Sequence, residues 1–331
     1  MNKIFRRSIP ALAGLALASA AQAQSGVTIY GRIDLGISKQ NDGTSALTGS
    51  NGKTGPAGER WDVRHLSENR LGFRGVEDLG EGLKAGFQIE HRFQGDTGVA
   101  DPVFWKGRSY VYLENKTLGN VYLGREYIPA FWPALKLDPW GWDTLGSPGL
   151  NHQLATYRID GHARANNSVG YKSPNFSGLT TNWAASAGEG VRDRSIGANV
   201  EYSAGPVYVA AAFDHQSDAN KVALIGGAYD FGLVKPAVMY TEATTAGKKA
   251  SNLTIAATVP VTAHLIKLAF ARLDPEGANN KTDKLGAGFE YFFSKRTSIN
   301  FDVGSALQQG SVAGKPLTRT TAFDLGLKHN F

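Results

Sequence analysis

The sequence predicts an all-β protein: a 16-stranded antiparallel transmembrane β-barrel with short turns at one end and long loops at the other. Three observations predict it. The chain opens on an export signal, its later segments alternate apolar and polar residues, and its connections alternate between short and long.

The first element is the signal. Lys3, Arg6 and Arg7 precede an apolar stretch at 9–21, and Ala21-Gln22-Ala23 follows the small-x-small cleavage pattern. Residues 1–23 are expected to be a signal peptide, with 24–331 forming one barrel domain. A membrane anchor is the weaker alternative, because a spanning helix needs about 20 apolar residues and this run falls short. The whole chain carries 35 basic and 29 acidic residues. Removing Lys3, Arg6 and Arg7 leaves 32 against 29, so the net charge drops from +6 to +3. No Lys/Arg run of the kind that marks a nucleic-acid patch follows Arg7. The absence of cysteine excludes thiol catalysis, thiolate zinc sites and redox motifs. No later segment approaches 18 consecutive apolar residues, so a spanning helix is not expected.

Alternation supplies the strands. Phe323, Leu325, Leu327, His329 and Phe331 share one parity, opposite Asp324, Gly326, Lys328 and Asn330. Leu285, Ala287, Phe289 and Tyr291 likewise oppose Lys284, Gly286, Gly288 and Glu290, and Val27, Ile29, Ile33, Leu35 and Ile37 oppose Thr28, Tyr30, Arg32, Asp34 and Ser38. Successive strand residues point to opposite faces, so one face is apolar and the other is rich in glycine and charge. A soluble sandwich also alternates. Strands of about ten residues with a wet inner face instead fit a membrane barrel, which must close because lipid leaves no backbone group unpaired. Tyr30, Tyr110, Tyr112, Tyr171, Tyr202, Tyr208, Phe292 and Phe293 are expected in interfacial girdles.

The connections complete the count. Short turns are expected at 77–82, 116–120, 174–178, 203–206, 231–232, 260–263 and 293–295. Long polar segments are expected at 41–67, 95–105, 128–165, 244–249, 274–281 and 308–316. Short turns belong to the periplasmic side and long loops to the outside.

Several motifs, taken in order, resemble one family. They are GVTIYG at 26–31 with Asp34, NRLGFRG at 69–75, EDLGEGLKA at 77–85, VYLGR at 121–125, RANN at 164–167 and VGYKSP at 169–174. Together they resemble the trimeric general porins of Gram-negative bacteria, β-proteobacterial branch. The resemblance implies a multi-pass outer-membrane channel for passive diffusion of small hydrophilic solutes and ions, with a modest preference for anions. It implies a homotrimer among outer-membrane lipid and lipopolysaccharide, with no cofactor and no metal. It also implies a third loop, 128–165, folded inward as a constriction, and a terminal Phe331 read by the barrel-assembly machinery.

Strand parity selects pore charges. Outward Leu71 and Phe73 put Arg70 and Arg74 inside; outward Phe87, Ile89 and Phe93 put Lys84, Gln88, Glu90 and Arg92 inside. A charge facing lipid at mid-membrane costs about 2–4 kcal/mol, which favours this assignment. By resemblance, Arg70, Glu90 and Arg164 match the family's eyelet charges. Each arginine has an alternative role, pairing with a neighbouring carboxylate to hold the wall. The family commonly has arginine where this chain has Gly107; Arg108 and Lys106 share the parity of Tyr110 and are expected to face outward.

Asp138, Asp143 and Asp160 in the third loop are candidates to face the basic wall. The same loop holds Phe131, Trp132, Trp140, Trp142 and Tyr157. These aromatics are expected to anchor the loop. A sharper alternative is that Trp140 and Trp142 stack on a sugar or aromatic solute, which would make the channel solute-specific.

Other chemistries lack their residues. Gly52-Lys53-Thr54 has Leu47 where a phosphate-binding loop needs glycine. The histidines lack HExxH spacing, and no G-x-S-x-G elbow occurs. His91 and His329 are expected at the outer surface. An enzyme is not expected; an adhesive role for the external loops is compatible with a pore.

Overall fold

The computed structural model describes residues 26–47, 60–148, 163–190, 194–277 and 280–331. The expected signal peptide, the Gly52-Lys53-Thr54 segment, Tyr157 and Asp160 lie outside the described residues.

The alternating segments form β1 (Val27–Gln40), β2 (Arg60–His65), β3 (Asn69–Gly80), β4 (Leu83–Phe93), β5 (Ser109–Asn115) and β6 (Gly119–Tyr127). A short helix, α1 (Phe131–Lys136), precedes β7 (Arg164–Lys172), β8 (Leu179–Ser186), β9 (Ser195–Ala204), β10 (Val207–Ser217) and β11 (Asn220–Tyr229). The chain ends with β12 (Lys235–Thr245), β13 (Lys248–Val261), β14 (His264–Pro275), β15 (Thr282–Phe292), β16 (Thr297–Gln308), the small hairpin β17 (Ser311–Val312) and β18 (Lys315–Pro316), and β19 (Thr320–Asn330).

From β3 to β16 each strand pairs antiparallel with the next, β16 pairs with β19 past the separate β17–β18 hairpin, and β19 pairs with β1, so the sheet closes. β2 and β3 both pair with β1, at 35–40 and 27–32 respectively. They are one spanning strand broken at Leu66, so the closed sheet has sixteen spanning strands. Leu66 turns inward because Gly36 and Gly326 leave room beneath it; a Cβ on Gly326 would lie 2.3 Å from its methyl carbon.

The parity is that of a membrane barrel. Val111, Leu113, Val121, Leu123, Ile225, Val238, Leu268, Leu285 and Leu327 are exposed on the outer face, whereas Asp34, Glu90, Asn199, Asp302 and Asp324 are buried on the inner one. At the short-turn end Tyr202, Tyr229, Phe231, Tyr291 and Phe293 face outward as a girdle. His91 stacks on Phe104 with ring centroids 4.4 Å apart, and His329 is exposed at its strand end.

Two expectations are corrected. Residues 244–249 do not form a long loop: Ala246 and Gly247, with φ of 49° and 77°, make a two-residue hairpin turn between β12 and β13. The polar side chains there belong to the ends of β12 and β13. Four of the girdle tyrosines, Tyr30, Tyr110, Tyr112 and Tyr208, point inward. Tyr30 donates to Glu90 Oε2 at 3.1 Å, Tyr110 to Gln88 Oε1 at 3.2 Å and Tyr208 to Glu201 Oε2 at 2.7 Å; Tyr112 shares the parity of Tyr110. Tyrosine has an apolar body and a polar tip, so its presence at a strand end does not fix its face.

Candidate functional site

Strand register builds a row of arginines. Arg32 of β1 lies directly across from Arg70 of β3, and Arg70 across from Arg92 of β4. Like charges directly opposite are destabilising, and carboxylates from three directions offset them. Glu90, two residues before Arg92, forms an ion pair with Arg92, its Oε1 2.6 Å from Nη2, and lies 3.9 Å from Arg70 Nη1. Glu68 lies 3.9 Å from Arg92, and Asp143 of the third loop accepts from Arg32 Nη1 at 2.7 Å. Arg164 joins through Tyr127, whose hydroxyl accepts from both Arg164 and Arg92 and whose ring lies 4.1 Å from the Arg164 guanidinium.

Solvent reaches these groups unequally. Arg32 and Arg70 keep 23% and 24% of their side chains exposed, against 3% for Arg92. Arg74 lies nearer the short-turn end, 5.3 Å from the Tyr30 ring, and is exposed to the lumen. The parity-selected residues Arg70, Arg74, Glu90 and Arg92 thus fall on one inner wall, and Arg164 and Asp143 meet it there. Arg32 was missed. It stands on the polar parity of β1, but only the register shows that it opposes Arg70.

Arg108 corrects a further expectation. It faces inward, donating to both carboxylate oxygens of Glu126, at 2.9 Å from Nε, and to Gln88 Oε1 at 2.8 Å. Its guanidinium lies over Tyr110 and Trp132, 4.7 and 5.4 Å from the ring centres. The outward set on β5 is Val111 and Leu113, not the tyrosines. Gly107 is filled from across the sheet: a Cβ there would lie 2.4 Å from Glu90 Oε1. Arginine at 107 would displace Glu90, and Arg108 brings the positive charge instead. Lys106 is held by Asp101, 2.5 Å away.

The described part of the third loop lies against the inner wall. Asp214 accepts from the Ala130 backbone N–H at 2.8 Å, and Asn199 donates to Pro129 O at 2.8 Å. Phe131 and Trp142 meet edge to face in an apolar cluster with Leu137, Leu224 and Met239. Trp140 donates from Nε1 to Asp302 Oδ1 at 2.6 Å. Trp140 and Trp142 are only 7% and 4% exposed, which leaves little ring face for a solute. Asp138 is also buried: it accepts from Trp140 N, Trp142 N and Ser147 Oγ, folding the loop tip rather than facing the pore.

Glycines permit this contact. A Cβ on Gly286 would lie 1.8 Å from Gly146 O, and one on Gly304 2.4 Å from Leu145 O. Loop backbone therefore lies directly on the wall of β15 and β16. Gly286→Val is expected to push the tip into the lumen or free it, so single-channel conductance should change while barrel content by circular dichroism stays. An unchanged conductance would remove this role from Gly286.

The Asp138 carboxyl is pushed up to about 6, chiefly by burial, from 3.8. The packed loop therefore holds its proton more tightly than a detached loop does. Packing should be strongest below about pH 4 and weaken as pH rises through about 6, by at most about 3 kcal/mol. Protease nicking of the loop should rise over that window, and Asp138→Asn should flatten the profile. A wild-type profile without the rise would contradict this assignment.

A closed sixteen-stranded barrel with a charged inner wall and a loop folded inside defines a diffusion channel of the outer membrane. The chain belongs to the Gram-negative porin family, matching it over residues 11–311. It is 31% identical to the outer membrane porin protein 32 of Delftia acidovorans over 317 residues, covering 89% of this chain and 87% of that one. It is 26% identical to an outer membrane porin protein of Bordetella pertussis, covering 97% of each. The solved anion-selective porin from Comamonas acidovorans superposes with a TM-score of 0.79 at 25% identity, covering 93% of this chain and 100% of that one. The protein is a multi-pass outer-membrane porin of β-barrel form.

Proposed function

We propose that this porin passes small hydrophilic solutes and ions with a modest preference for anions, through an eyelet set by Arg70, Arg92 and Arg164 with Glu90 and Asp143. One observation carries the reading. Around the constriction, among the described residues, six cations (Arg32, Arg70, Arg92, Arg108, Arg164 and Lys172) stand against five carboxylates (Asp34, Glu68, Glu90, Glu126 and Asp143). A positive excess beside a narrow water path raises the local concentration of anions. The anion-selective Comamonas relative supports the same sign. Arg108 and Lys172 restore the charge that Gly107 lacks.

The working unit on this reading is a homotrimer, exported through residues 1–23 and seated among lipopolysaccharide. Phe331 then serves as the assembly signal: its backbone exchanges two hydrogen bonds with Gly31, of 3.0 and 3.1 Å, and seals the barrel. Transport requires no cofactor and no catalytic step. Planar-bilayer recording across a potassium chloride gradient tests the function: the reversal potential should take the sign of chloride preference. Cation preference would overturn the basic-wall reading, and no conductance would overturn the channel.

A further inference from the structure

Among the described residues, a second group of aromatic rings faces the lumen away from the third loop. It is on the wall between the constriction and the short turns, where tyrosines lie flat against glycines of neighbouring strands. Tyr112, half-buried, lies across from Gly86, and Tyr122, fully buried beneath the surface, lies across from Gly170. A Cβ on either glycine would sit 2.3 or 2.1 Å from a ring carbon, so each glycine is what lets the ring lie down. Tyr110 continues the surface, 5.8 Å from Tyr112 at an interplanar angle of 32°.

Cations stand at its edge. Lys172 lies 5.1 Å from the Tyr122 ring and keeps 31% of its side chain exposed, and Lys116 is exposed on the adjoining turn. Tyr110, Tyr112, Glu114, Lys116, Asn120 and Lys172 line one recess of about 390 Å³ at the short-turn mouth, within the roughly 300–1,000 Å³ of small-molecule sites. Asn120 donates to Glu114 Oε2 at 3.3 Å, which holds that carboxylate at the rim.

We propose that this recess is a second solute site, separate from the constriction, for a small aromatic carboxylate. The ring would stack on Tyr112 and meet the edge of Tyr110, whose face the Arg108 guanidinium already covers; tyrosine quadrupoles favour such offset or edge contacts with another π system. The carboxylate would pair with Lys172 and Lys116, and a ring hydroxyl would reach Glu114. Lys116, Lys172 and Arg108 against Glu114 and Glu126, the carboxylate that Arg108 and Lys172 share, leave one positive charge in excess and so select an anion, and flat tyrosine faces select a planar ring over an alicyclic one. The proposal rests on the channel reading, and its test separates the two.

The test is single-channel recording in potassium chloride with 4-hydroxybenzoate in the bath. Cyclohexanecarboxylate (the same charge without a π face) and phenol (the ring without the charge) serve as controls. Block is expressed as a fraction of each channel's own open current. The expected result is concentration-dependent block by 4-hydroxybenzoate, with both controls weaker. Tyr112→Leu and, independently, Lys116→Ala should each raise the half-blocking concentration about three- to tenfold. Lys116 sits on an exposed turn, so its variant keeps the test valid if Tyr112→Leu does not fold. Equal block by cyclohexanecarboxylate, no block at all, or block unaltered by Lys116→Ala in a conducting channel would overturn the site and leave the porin standing. Loss of all conductance in the unmodified protein would instead overturn the channel.

Discussion

Arg70→Glu should turn the channel from favouring chloride to favouring potassium. Arg70 is the centre of the cross-strand row and reaches the lumen with 24% of its side chain exposed. In water a unit charge about 5 Å from a passing ion contributes about 0.8 kcal/mol. The substitution swings the wall by two charges, in opposite senses for the two ions. Even screened over a Debye length of about 10 Å at 0.1 M salt, that shifts the ratio of anion to cation occupancy by roughly tenfold or more. The reversal potential should change sign, and raising the salt to 1 M should shrink the change. A reversal potential that keeps its sign would mean that Arg70 serves only to hold Glu90.

Trp140→Ala should produce the largest mechanical effect. The ring packs on Ala256 and Ala269, and its Nε1–H satisfies Asp302. Truncating a buried tryptophan costs about 3–5 kcal/mol, and leaving the buried Asp302 carboxylate with Asn300 but without the indole donor adds to that. Much of this cost is relieved if the loop tip lifts off β15 and β16. Conductance should rise and fluctuate, and proteoliposomes should admit larger sugars in swelling assays. Trp140→Phe keeps the packing and loses only the hydrogen bond, so it should fall between. Were Trp140 a solute platform, the alanine variant would change block by sugars and leave conductance and swelling untouched.

The barrel itself was legible because its code is a period of two repeated over many strands. Val111 against Tyr112 shows where that code fails. Both residues suit an apolar face, so parity alone reverses β5 and turns Arg108 outward, toward the interface. The register settles it, since Gly86 and Gly124 across the sheet leave inner room for rings that valine would not use. The eyelet was partly legible for the same reason: Arg70, Glu90 and Arg92 alternate with apolar outward neighbours. Arg32 and Glu126 escaped because their importance is relational, set by which residue lies across the strand. Asp138 and the two loop tryptophans were read for charge and aromaticity. What fixes their roles is burial, which has no period inside an irregular loop.

The bonds that seal the sheet join opposite ends of the chain. Arg32 donates to Asn330 across a separation of 298 residues, and the paired register runs back to Gln40 and Ala322. Ring closure is therefore the pairing of greatest sequence separation, the kind of contact that is intrinsically slow to form. Before it, the sheet has two raw edges that hydrocarbon cannot satisfy. A polypeptide short of its last strand is thus not a narrower cylinder but an open ribbon. A chain truncated before β19 is therefore expected to be unable to close and to stay out of the bilayer.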